Sequence, residues 1–211
     1  MSRTIVLALL ACILAACVQP GIPQAHPPPA APQPAARDVY LPLVSNPSPL
    51  ATPTPTALER CFGNPRAVAF YRLLVADGRQ ARTTLRCHPA LVEAARQHAL
   101  AFAEGQPWGH CTAGVCPNAR ARRAGCALPA IYIDSANYVE ELVAGTGDTQ
   151  TAFDALARSE RHSVHLFARE QDGWVNTFFV QQDDVGIAYA ESLYGLFWVV
   201  MIAPCGATSG E

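Results

Sequence analysis

The sequence predicts one α+β domain over residues 58–206, with helices in its first two thirds and antiparallel strands closing it. Apolar residues recur at helical spacing from Asn64 to Phe167, whereas three apolar, partly alternating runs crowd the last third. Helices first and hairpins last fit a layered α+β domain better than a doubly wound sheet. The folded part is long enough for one ordinary core.

Ahead of it, residues 1–16 (MSRTIVLALLACILAA) place one charge at Arg3, an apolar run from Ile5, and small residues before Cys17, the layout of a secretory signal. As a helix that run reaches only about 18 Å, against roughly 30 Å of bilayer hydrocarbon, so no stable membrane span is expected. Leu14-Ala15-Ala16-Cys17 resembles the lipobox of bacterial lipoproteins. That resemblance implies removal of the preceding peptide and lipidation of Cys17, which would anchor the chain to a bacterial membrane at the cell surface or periplasmic face. The other reading is an ordinary signal peptide cut between Ala16 and Ala25. Residues 17–57 hold most of the chain's 18 prolines and few charges, and are read as a flexible spacer with one apolar island, VYLPLV, at Val39–Val44. A disordered tail is expected at 207–211.

The formal charge is −2 and all fifteen basic residues are arginine, which suggests no nucleic-acid partner. Apart from Cys12 and Cys17, the cysteines are Cys61, Cys87, Cys111, Cys116, Cys126 and Cys205, an even set that implies disulfides in an oxidising compartment. Loop-closure entropy favours a short link among Cys111, Cys116 and Cys126, with Cys61, Cys87 and Cys205 sharing the rest. A zinc knot of His110, Cys111 and Cys116 is the rival reading.

Asn64-Pro65 opens the first helix, with Ala67, Phe70, Tyr71 and Leu74 on one face and Gly78 as its stop. A second helix fits His88 to Glu104, where Leu91, Ala94, Ala95, His98 and Phe102 share a stripe that makes His98 a core histidine. Asn118–Ala124 fits a short arginine-rich helix ending at Gly125, and Ala130–Val139 has strand-like content. Helices follow at Thr149–Ala157 and from Ser159, read as a hydroxyl cap, to Phe167. Trp174–Gln181, Val185–Glu191 and Leu196–Ala203 are read as an antiparallel meander. No internal repeat, glycine-rich phosphate loop or GxSxG elbow is present.

Three segments in order, Gly109-His110, VEELVAG at Val139–Gly145 and SERHSVHLF at Ser159–Phe167, together with the closing hairpin, resemble the CAP (SCP-like) family in its bacterial extracellular branch. Glu140 falls on the family's glutamate and Glu141 where asparagine is usual; Ser159 and His162 match, and His165 replaces asparagine. Arg120 with Gly125 fits the family's R-x-x-x-x-G step. The resemblance implies a three-layer α-β-α sandwich with a cleft lined by His110, Glu140 and His162, in some members occupied by a divalent cation such as Zn, Ca or Mg. Two imidazoles and a carboxylate suit such an ion, although the second cleft glutamate of animal members falls at Ser159. Each residue also has a structural reading: Glu140 as a loop anchor, His162 as its hydrogen-bond partner, and His110 as a loop residue. His165, three residues beyond His162 on the same helix face, either joins the cleft or faces solvent, and the second is the expectation.

Three functions follow from this reading. The first is a monomeric, non-enzymatic binding module for a cation, small molecule, lipid or peptide. The second is an envelope hydrolase, with Glu140 as base beside a histidine-held metal or Ser159 as nucleophile with His162 as base. The third is an adhesive envelope protein using Val39–Val44.

Overall fold

A computed structural model describes residues 54–206 apart from Thr146 and Tyr194. The expected signal at 1–16, Cys17, the VYLPLV island and the tail 207–211 lie outside the described residues.

Helix formation follows local chemistry. Thr56 and Glu59 form a reciprocal capping box that starts α1 (Ala57–Phe62), and Gly63 ends it in the left-handed region at φ 63°. This helix is additional to those expected. Asn64 accepts from the Arg66 amide to open α2 (Pro65–Ala76), and His88 Nδ1 accepts from the Ala90 amide to open α3 (Pro89–Ala103). Helices α4 (Pro117–Arg123), α5 (Thr149–Arg158) and α6 (Glu160–Phe167) follow. The strands are β1 (Arg86–Cys87), β2 (Glu140–Ala144), β3 (Asp184–Ser192) and β4 (Gly195–Ala203).

Several expectations are corrected. Ala130–Val139 forms turns, and the strand begins only at Glu140. Trp174–Gln181 is a turn followed by a single 3-10 turn, because Asn176 Oδ1 accepts from the Phe178 and Phe179 amides and diverts the chain from extended structure. The sheet is therefore no meander: its order is β1-β3-β4-β2, with β1 parallel to β3 and the other pairs antiparallel. Ser159 occupies the N-cap position of α6, but its side chain makes no capping hydrogen bond.

The α-β-α sandwich implied by the CAP resemblance is the observed architecture. On one face of the sheet Phe70, Leu74, Phe153, Leu156 and Phe167 pack on Ile187, Trp198 and Val200; on the other Leu91, Ala95, Ala99 and Phe102 pack on Ala188, Val199 and Met201. Gly186 sets the second contact. A Cβ there would lie 2.1 Å from the Leu91 carbonyl carbon, so only glycine lets α3 lie this close to β3.

Disulfides join Cys61 to Cys87, Cys111 to Cys116, and Cys126 to Cys205. The last spans 79 positions, a loop for which chain entropy contributes about 4 to 5 kcal/mol. Both thiols of the alternative zinc knot are thus consumed in one bridge.

Candidate functional site

Consecutive residues of a strand point to opposite faces, so β2 sends Glu140 and Glu141 to different sides of the sheet. The register agrees: Glu140 stands opposite Met201, in the core beneath α3, and Glu141 opposite Val200, in the other core.

On the first side the Glu140 carboxylate is fully buried. Arg120, on α4, donates to Oε2 at 2.7 Å; His98 Nδ1, on α3, approaches the same oxygen at 2.8 Å; and His110 Nδ1 approaches Oε1 at 3.2 Å. Arg120 also donates to the His110 and Val115 carbonyls and the Thr112 hydroxyl, so one guanidinium holds the carboxylate, His110 and the disulfide-closed loop that follows it. Asn137 completes the seat by accepting from the Glu140 amide and donating to its carbonyl. Burial pushes the Glu140 carboxyl up, but the hydrogen bonds from His110 and His98 and the electrostatic pull of His98 and Arg120 outweigh it and hold the group below the ordinary value.

His110 turns Nδ1 inward while its side chain stays 37% exposed, which leaves Nε2 for an incoming group. On the other oxygen of the Glu140 carboxylate sits His98, whose ring lies 4.3 Å from that of Phe102, and the rings of Phe102 and Trp108 lie 4.6 Å apart. Half-exposed Trp108, with Phe102, Phe197, Gly105 and Gln106, lines a groove of about 320 Å³. His98 is buried, as its apolar stripe predicts, and its Nε2 has no hydrogen-bond partner.

On the second side His165 Nδ1 lies 2.8 Å from Glu141 Oε1, and His162 Nε2 lies 3.6 Å from Oε2. His165 is buried rather than exposed, correcting the sequence expectation, because Nε2 reaches inward to Gln182 Oε1 at 2.8 Å. The Gln182 amide nitrogen donates to the Tyr138 carbonyl and the Tyr132 hydroxyl. A carbonyl can only accept, so the amide oxygen must face His165 and Nε2 must donate to it. The Nδ1–Glu141 contact then requires one more proton, carried by the ring or by the carboxylate. Arg82 fixes this cluster from behind: its buried guanidinium donates to the His165, Leu166 and Phe179 carbonyls, and burial lowers its pKa to about 10.

Of the three residues expected to share a cleft, the fold brings His110 to Glu140 and gives His162 to Glu141. The structure fits a three-ligand metal centre poorly. A divalent ion at Glu140 would have to displace donors already in place beside the Arg120 cation, and no group of three His, Cys, Asp or Glu side chains among the described residues is placed to hold one. Ser159 makes no hydrogen bond to His162. Sequence reasoning passed over Glu141, Gln182 and Trp108 as site residues. The pleat of a strand carrying two glutamates signalled Glu141, whereas no local pattern announced Gln182 or Trp108.

No family model matches the chain, and no curated protein matches it either. Two solved structures are similar. An outer surface protein from Borrelia burgdorferi is 17% identical, with 64% of this chain and 89% of that chain covered and a TM-score of 0.48. An extracellular protein containing a SCP domain from Bacillus anthracis is 14% identical, with 65% of this chain and 40% of that chain covered and a TM-score of 0.49. Both are likenesses of fold.

Proposed function

We propose that the chain is a membrane-tethered, extracytoplasmic binding module whose ligand lies along the Trp108 groove and meets His110. The observation that carries this reading is the connected series Trp108, Phe102, His98, Glu140 and His110, which joins an exposed aromatic surface to an imidazole with a free nitrogen. Such a site favours a small organic molecule or peptide segment with an apolar face and one polar group. Three disulfides support an oxidising compartment, and the signal-like 1–16 and Cys17 supply the tether.

The full chain should be screened by saturation-transfer NMR against small-molecule fragments and short capped peptides, with zinc, calcium and magnesium as separate arms. Hits should compete for one site, disappear in Trp108→Ala and His110→Ala, and persist in His162→Ala. Hits indifferent to Trp108 and His110, or tight cation binding that needs His110 and His162 together, would overturn the reading.

A further inference from the structure

We propose a second site, an oxyanion pocket at the C-terminal end of α6, independent of the His110 groove. Ser163 and Phe167 are four apart on α6 and so share one face. With Arg79, Arg169, Glu170, Gln171 and Gly173 they line a pocket of about 260 Å³. The chain reaches it through Ala168, in the left-handed region at φ 53°, and then folds back in a turn where the Glu170 amide donates to the Trp174 carbonyl and the Asn176 amide to that of Ala168. The Arg169 amide donates to the Val164 carbonyl of α6, which holds residue 169 against the helix end.

The two arginines differ. Arg79 lies over the Phe167 ring at 4.1 Å and is neutralised by a two-pronged pairing with Asp77, while its remaining arm donates to the Ala157 carbonyl. Arg169 forms no ion pair among the described residues. One arm donates to the Gly173 carbonyl at 3.0 Å, and its buried Nε has no partner. Glu170 also lines the pocket; its carboxylate accepts from the Asn176 amide and keeps its charge, so a bound anion has to sit on the Arg169 edge away from it. A guanidinium whose Nε is both buried and unused is an exception among folded proteins and points to a missing acceptor. The Nε and second terminal nitrogen of arginine form the edge that grips a carboxylate or phosphate with two parallel hydrogen bonds. Ser163, whose hydroxyl proton goes to the Glu160 carbonyl, adds no anionic charge. The ligand class is therefore a phosphate or carboxylate group.

The test follows the Arg169 Nε–Hε NMR signal of the full chain during titration with inorganic phosphate and, separately, with acetate, at ionic strength held constant with sodium chloride. A saturating shift is expected for at least one anion. Tenfold tighter binding of phosphate would identify a phosphoryl group, and tenfold tighter binding of acetate a carboxylate. Arg169→Gln should weaken binding at least tenfold and Arg169→Lys by less, as judged by native mass spectrometry. Arg161→Gln, at an exposed arginine of the same helix, should leave it unchanged. A linear, chloride-like response for both anions, or full affinity in a folded Arg169→Gln variant, overturns the proposal.

Discussion

Glu140 accepts from one arginine and two histidines, whereas Glu141, one residue later, meets only histidines. Arginine keeps its charge throughout the range in which proteins fold, and imidazole does not. The Glu140 side is thus a fixed anchor on which His110 is mounted. The Glu141 side instead ties α6 to β2 through His165 and His162, with no arginine among its ion-pair partners. Adjacent residues of one strand have been given different electrostatic jobs because the pleat assigns them to different cores.

The largest way to break this contrast is Glu140→Ala, which strands the Arg120 cation in the interior and should cost about 3 to 5 kcal/mol in urea unfolding. Next, Gly186→Ala should lift α3 from the sheet and cost about 3 kcal/mol, disturbing His98 while leaving the His165 signals in place by NMR. Glu141→Ala leaves His165 Nδ1 without its hydrogen-bond partner and should cost about 1 to 3 kcal/mol. A smaller effect concerns acid. Because the folded Glu140 carboxyl lies below its ordinary 4.5, its contribution is complete above that pH and is lost as pH falls through the lower folded value. Glu140→Gln should therefore flatten the decline of stability below pH 4.5 relative to the wild type. Smallest of all, His162→Ala should change stability by no more than about 0.5 kcal/mol, since that ring is a third exposed.

Much of the fold was legible because its signals are local. Asn64-Pro65 opens a helix where capping chemistry says it should, the stripe from Leu91 to Phe102 marks the next, and the runs ending at Glu191 and Ala203 pair as a hairpin. Trp174–Gln181 misled because its apolar content resembles a strand, while one Asn176 side chain imposes a turn. The two-residue β1 is too short to leave a pattern and exists through its pairing with β3. At the site, Glu140 and His110 were identified by resemblance and lie together. His162 was matched to the wrong glutamate and His165 to solvent, since both depend on which side of a strand edge α6 packs, a fact set by tertiary contact rather than by spacing.

The bridge between Cys61 and Cys87 has a mechanical meaning. A pull on the chain N-terminal to Thr54 passes through α1 to Cys61 and from there crosses directly to Cys87 at the sheet, bypassing the 26-position stretch that contains α2. That stretch represents on the order of 80 Å of hidden length, withheld from extension while the sulfurs stay bonded. Tugged from its N-terminal side, the oxidised protein would behave as a short, stiff link; reduced, it would pay out like rope.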